Sequence, residues 1–318
     1  MSNPYLHSQS FNRTNLRYSI RPKDSDKKVV QEIADFVLKH RKQSGIIYCL
    51  SRKDTSTLAT ALQAVIPAMK REITFYHADL TASEKETRQR NWSKGDIKLI
   101  CATIAFGMGI NKPDVRYVIH HSLPKSLTNY YQESGRAGRD GESAQCILYF
   151  SFKDRTKLAH MIVKSSEERG GNTASSAANV KRSMENLNKC VMYCTDEVQC
   201  RRVMLLEYFG EKFPRSQCDA TCDNCKYFRD NPVPQSNNNT NNTTSNNSNN
   251  DMYNVPMTDY TIHAQALLYI LRIAEACGQR VTSRKLIYFY ARSKDKECTK
   301  FGQVLNIDYN SCPELRNP

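Results

Sequence analysis

Between residues 24 and 150 short apolar runs alternate with stretches whose apolar positions recur every three or four residues. The runs at 46–50 (IIYCL), 73–77 (ITFYH), 97–102 (IKLICA), 116–121 (RYVIHH) and 145–150 (QCILYF) predict buried strands. The stretches between them predict helices over 27–43, over 54–66, from Thr81 to about Ser93, and from Ser126 to about Ala137. In the first helix Val30, Ile33, Ala34, Val37 and Leu38 share one face. Asp24 or Ser25 is placed to cap its start, and Gly45 lies just past its end. Thr81 and Glu84 have the spacing of a capping box. Repeated strand–helix units predict an α/β fold with a parallel sheet covered on both faces.

After Phe150 the strand signal stops. Helices are expected over 152–165, about 175–193 and about 197–209, with a break at Gly170–Gly171. In the second of these Val180, Met184, Leu187 and Val191 form a core-facing stripe, which turns Lys181, Arg182 and Lys189 outward. Residues 236–250 contain only Ser, Asn and Thr and cannot bury apolar surface, so they are expected to form a disordered linker. Helical periodicity returns over 261–276 and 283–291, and the last 27 residues show little pattern.

The chain has 318 residues, room for about two domains at roughly 150 residues each. Its formal charge is +14, which favours an acidic partner, nucleic acid first. The apolar runs are too short for a membrane span, so no membrane partner is expected. The N-terminus lacks the apolar core of a secretory signal. An intracellular location makes a disulfide framework from twelve cysteines an unfavoured reading.

Four cysteines stand apart from the rest. Cys200, Cys218, Cys222 and Cys225 have the spacing C-x17-C-x3-C-x2-C. Four thiolates close a tetrahedral zinc shell and leave no position for water, so the expectation is a structural Zn2+. Cys190 and Cys194, one helical turn apart, are nearby competitors. Residues 103–116 read TIAFGMGINKPDVR, in which Gly107 and Gly109 follow a strand. Such glycines let backbone N–H groups approach a phosphate or ribose, and they also occur in ordinary turns. Residues 130–141 read YYQESGRAGRDG, with Gln132, Gly135, Arg136 and Arg139 as Q-x-x-G-R-x-x-R. Two arginines three apart on one side of a helix end suit phosphate oxygens; a solvated basic terminus has the same sequence.

Taken together, these motifs resemble the second RecA-like domain of superfamily-2 helicases, and most closely the RecQ family of 3′–5′ DNA helicases. Residues 10–18 resemble the segment leading into that domain, 45–52 motif IV, 99–116 motif V and 130–141 motif VI, over about residues 9–230 in all. The resemblance implies that Arg139 is an arginine finger reaching the γ-phosphate of ATP. Arg136 would assist on the phosphates, and Gln132 would orient the site. Asn111 would lie near the ribose, with Gly107 and Gly109 close to the nucleotide. Thr103 would couple nucleotide state to DNA, and Ser51 and Arg52 would contact the strand's phosphates; a plain helix start explains the last two as well. Cys190 and Cys194 are not ligands in the family pattern.

The implied organisation is a leading segment (1–22), a second RecA-like domain (23–165), a helical zinc-binding subdomain (166–230), a linker (231–256) and a partial winged-helix-like segment (257–318). A complete wing is not expected. No G-x-x-x-x-G-K-[ST] and no D-E-x-H or D-E-x-D occurs in the chain. In the family both lie in a first RecA-like domain, expected to precede residue 1. ATP and Mg2+ would then be bound only together with that missing domain, and the chain alone is expected to be inactive. The implied partner is DNA, single-stranded or at duplex junctions, in nuclear repair, recombination and replication. The competing reading is a truncated, non-enzymatic DNA-binding zinc module. A zinc nucleotide deaminase is excluded because no H-x-E accompanies the cysteines.

Overall fold

Six parallel strands are present among the described residues: β1 (Leu16–Pro22), β2 (Ser44–Tyr48), β3 (Ile73–Tyr76), β4 (Leu99–Ala102), β5 (Val115–His120) and β6 (Ala144–Phe150). They form one sheet in the order β1-β6-β5-β2-β4-β3. The computed structural model describes residues 10–107, 110–168, 173–231 and 261–276. The chain divides into two units, residues 1–253 and 254–318. In the second, the described element is the helix Thr261–Ala276, which matches the periodicity there. The 236–250 tract, the 283–291 helix and most of the expected winged-helix-like segment lie outside the described residues.

Strand side chains alternate between two cores, one on each face of the sheet. Ile47, Leu99, Cys101, Tyr117, Ile119 and Ile147 face helices α1 (Asp26–Lys39) and α2 (Arg52–Val65), meeting Val29, Ile33, Val37, Leu58 and Leu62. Ile46, Tyr48, Ile100, Val118, Cys146 and Leu148 face the other way. There they meet Trp92 of α3 (Ala82–Lys94), Tyr130 of α4 (Leu127–Ser134) and Leu158 of α5 (Phe152–Glu167). The same core continues into α6 (Ala174–Thr195), α7 (Arg201–Tyr208) and the four clustered cysteines. The short helix α8 (Asp223–Asp230) completes the first unit's described helices.

Local signals set most helix starts. Ser25 caps α1 by accepting from Lys28 N, and Thr81 and Glu84 form the expected capping box on α3. Four details differ from the sequence reading. Strand β1 was not foreseen; it pairs along its whole length with β6, from Leu16↔Ala144 to Pro22↔Phe150, so the leading segment ends inside the sheet. Gly45 lies inside β2, not at a helix end: α1 stops at a His40 cap, and the Tyr117 ring lies across Gly45 where a side chain would sit. Leu38 is exposed, and Phe36 takes its place in the buried stripe of α1. In α6 the buried face is Leu187, Cys190, Tyr193 and Cys194, with Met184 and Val191 only partly buried against the core.

Candidate functional site

Helix α4 ends at Ser134, so Arg136 and Arg139 stand in the turn beyond it and not on the helix. Both guanidinium groups fold back onto the loop between β4 and β5. Arg136 Nη1 donates to the Gly107 carbonyl, and Arg139 Nη1 donates to the Ile110 carbonyl at 2.7 Å. A Cβ on Gly107 would lie 2.5 Å from Arg136 Nη2, so a side chain there would push the guanidinium aside. The turn is further tied by Gly138 N to Val115 O at 2.8 Å and by the Arg116–Asp140 ion pair at 2.5 Å. Hydrogen bonding from Arg116 holds the Asp140 carboxyl below the usual range. The structure therefore brings Arg136, Arg139 and Gly107 together, with Asn111 exposed one residue past Ile110. Gln132 is exposed on α4, and its side chain makes no hydrogen bond among the described residues. Gly109 lies outside the described residues.

A second group lies where the parallel strands end. Ser51 and Arg52 follow β2, and Thr103 follows β4, so all three sit along the carboxyl edge of the sheet, where open α/β sheets bind ligands. Ser51 has a local role: its hydroxyl accepts from Asp54 N at 3.1 Å, and Asp54 accepts from Ser51 N at 3.1 Å. Arg52 pairs with Asp79 at 2.5 Å, an exposed contact of small energetic weight. At the same edge Lys23 Nζ donates to His121 O at 2.8 Å and to Asp154 at 3.2 Å. Burial, with Lys23 beside it, lowers the pKa of His121 to about 4, so its imidazole is neutral near pH 7.

The third group is the cysteine cluster. Cys200, Cys218, Cys222 and Cys225 are all buried, and their Sγ atoms lie within 4.8 Å of one another, close enough for one tetrahedral ion to replace the thiol–thiol contacts. Cys222 Sγ caps α8 by accepting from Cys225 N at 3.5 Å. Hydrogen bonding from the Cys200 thiol, with that from Cys225, holds the Cys222 thiol below its ordinary range. The donor set therefore fits structural Zn2+ held by Cys200, Cys218, Cys222 and Cys225, with no position left for catalysis. Cys190 and Cys194 are core residues outside the cluster, and burial pushes the Cys190 thiol up to about 12.

The residues that fasten the cluster to the sheet were missed by sequence reasoning. Arg201 Nε donates to Asp223 Oδ1 at 2.9 Å and Arg201 Nη2 to Asn224 Oδ1 at 3.1 Å; Asp223 Oδ2 accepts from Ile20 N of β1 at 2.7 Å. The paired arginines at 201–202 beside a ligand cysteine were the available signal.

Comparison with known proteins follows the same division. Residues 27–141 match the helicase conserved C-terminal domain, and residues 152–226 match the RecQ zinc-binding domain. The chain is 45% identical over 230 residues to the ATP-dependent DNA helicase Q-like 4B of Arabidopsis thaliana, covering 70% of this chain and 20% of that protein. It is 45% identical over 233 residues to the RecQ-like DNA helicase BLM of Xenopus laevis, covering 71% of this chain and 16% of that protein. It is 36% identical over 286 residues to the ATP-dependent DNA helicase Q1 of Pongo abelii, covering 89% of this chain and 37% of that protein. The chain thus spans well under half the length of these curated relatives.

Proposed function

This chain belongs to the RecQ helicase family, with a RecA-like sheet domain followed by the family's zinc-binding domain, and from that premise we propose that it forms part of an ATP-dependent 3′–5′ DNA helicase. It supplies the second motor domain, which closes on ATP and Mg2+ held by a first RecA-like domain carrying the P-loop. Arg139 serves as the arginine finger and stabilises charge developing on the transferred phosphoryl group. Arg136 assists on the phosphates, Gln132 orients the site, and Asn111 with Gly107 and Gly109 borders the nucleotide. Ser51, Arg52 and Thr103 contact the DNA backbone along the carboxyl edge of the sheet. The +14 charge supports a polyanionic partner and predicts binding that weakens with salt. The expected setting is DNA repair, recombination and replication in the nucleus.

One observation carries this reading: a turn just past α4 presents two arginines onto a glycine-containing loop that leaves the sheet. No P-loop sequence occurs in the 318 residues, so the isolated chain is expected to show no ATPase activity above background. Joined to a first motor domain of the same family, it is expected to hydrolyse ATP in a DNA-stimulated manner. Arg139→Ala should then lower kcat by about 10³-fold or more while DNA binding persists. Arg139→Lys should rescue little, because an ammonium cannot reproduce the guanidinium fork. DNA-stimulated hydrolysis by the isolated chain, or a joined enzyme indifferent to Arg139, overturns the proposal.

A further inference from the structure

The turn at 135–142 is held from outside by a segment that precedes the sheet. Arg13 Nη1 donates to Gly135 O at 3.2 Å, and Arg13 Nη2 donates to Ala137 O at 3.2 Å and Gly138 O at 2.8 Å. Asn15 Nδ2 adds Gly138 O and Glu142 O, both at 2.8 Å. Two side chains therefore satisfy four carbonyls along a turn that has left its helix. The carbonyls at a helix end lack intrahelical partners, and a cation there meets the negative end of the helix dipole.

The clamp is itself fixed from the far side. Arg202, buried in the core, donates through Nη1 to Asn12 Oδ1 at 2.7 Å and to Arg13 O at 2.8 Å. Its Nη2 donates to Leu16 O at 2.7 Å and to Thr221 Oγ1 at 2.9 Å. Strand pairing completes the frame, with Ala144 N donating to Asn15 O at 3.0 Å. Arg13 thus hangs from an anchored backbone, and its side chain reaches the turn that bears Arg136 and Arg139.

We propose that Arg13, with Asn15, is a positioning residue for the arginine-bearing turn: it sets the place from which Arg136 and Arg139 act, and it touches neither nucleotide nor DNA. The proposal rests on the functional reading given above for Arg139. Its physical basis is the steep dependence of catalysis on placement, where a shift of about 1 Å costs on the order of 10²-fold. Arg13 binds only neutral backbone carbonyls, so removing it strands no charge and the expected consequence is a looser turn in an otherwise intact fold.

The test has two arms on one set of variants. In the zinc-loaded chain, Arg13→Ala should speed amide hydrogen exchange over 136–142 by about tenfold or more, with β2, β5 and α2 unchanged and zinc content preserved. In the enzyme joined to a first motor domain, Arg13→Ala should lower kcat by about 10- to 100-fold with little change in KM. Added to Arg139→Ala, it should cost less than about twofold more, because a residue acting through Arg139 has nothing left to position. Arg13→Lys should recover only part of the loss. Should Arg13→Ala fail to fold, Asn15→Ala removes two of the five contacts and carries the same expectations in smaller measure. Unchanged exchange over 136–142 overturns the clamp. So does an undiminished kcat, or a full additional loss in the Arg139→Ala background. If Arg139→Ala itself leaves kcat intact, the arginine-finger reading fails, and the exchange arm still decides whether Arg13 holds the turn.

Discussion

In the sheet, residues such as Ile46, Ile47, Ile100 and Ile119 are fully buried between two layers of helices. Residues 196–230 offer much less: α7 and α8 are eight residues each, and their joining stretch is irregular apart from the short 3-10 turn Arg215–Cys218. Helices that short do not persist alone in water. Beyond the few apolar side chains that α7 and α8 bury, what holds this region is four cysteines and a set of buried arginine contacts, with Arg201 and Arg202 both nearly inaccessible. The sheet is held mainly by buried apolar area; the zinc region shares the edge of that core through Val203 and Leu205 and adds coordination and buried arginine contacts. Each should fail under a different insult, and Arg136 and Arg139 belong to the first while leaning, through Arg13 and Arg202, on a neighbour of the second.

Removing the metal is the largest expected perturbation. Structural zinc in small modules is worth about 10–16 kcal/mol of coupled folding. Chelation, or Cys222→Ser, should abolish zinc content and release amide protection across α7 and α8, while β2, β4 and β5 stay protected. Strand β1 should loosen at its edge, because Tyr18 N donates to Thr221 O at 3.1 Å beside Cys222. Cys190→Ser should leave one zinc per chain. Metal analysis with hydrogen exchange checks this, and simultaneous loss of β2 and β5 would show that the two regions are one cooperative unit.

Breaking the ion pair comes next. Arg201→Met leaves Asp223 facing Ile20 N without its cation. Breaking a buried pair costs about 3–5 kcal/mol, and the figure here should sit at the low end because Asp223 is 24% exposed. The urea midpoint of the zinc region should fall while that of the sheet holds.

A pH titration separates the two regions in another way. The folded-state pKa of His121, about 4, lies below its unfolded value of 6.5. The unfolded state therefore binds the proton first, so this stability term is complete above pH 6.5 and is lost as pH falls towards 4. The loss is on the order of 3 kcal/mol in all, at about 1.4 kcal/mol per pH unit. His121→Asn should flatten that part of the sheet's acid profile and leave the acid release of zinc unaltered. Denaturant midpoints between pH 7 and 4 make the measurement.

How far the sequence exposed this architecture depended on which force set each element. The inner strands β2, β4, β5 and β6 are buried on both faces along most of their length and read as mainly apolar runs, so they were legible, as was the short edge strand β3 (ITFY). Strand β1 reads LRYSIRP; as an edge strand it alternates apolar and polar residues, with Arg17 and Arg21 at polar positions, so it lacks the continuous apolar run by which the other strands are recognised. The cysteine cluster was legible from spacing alone, since ligand spacing is local. The Arg13, Arg202 and Asp223 contacts were not, since they join residues up to 203 positions apart in sequence through hydrogen bonds that leave no periodicity. The place of Arg136 and Arg139 was misjudged by one step: α4 stops at Ser134, and the arginines are held by carbonyls in place of helical geometry.

The smallest expected effect is also the most discriminating at the sheet's carboxyl edge. Ser51 caps α2 through the reciprocal bonds with Asp54, so a purely local role accounts for its presence there. Ser51→Ala should cost about 1 kcal/mol of stability, the usual weight of an N-cap. That value by itself separates nothing, because a cap and a phosphate contact are both lost. Ser51→Asp does separate them. Aspartate caps as well as serine, and it meets the positive end of the helix dipole, although Asp54 in the same turn offsets part of that gain. Stability should therefore return to within a few tenths of a kcal/mol of the parent. A carboxylate facing a phosphodiester repels it, so DNA affinity should drop at least as far as in Ser51→Ala and the salt dependence of binding should change. Binding by Ser51→Asp equal to the parent protein would leave Ser51 a helix cap alone, and the DNA-facing assignment would rest on Arg52 and Thr103.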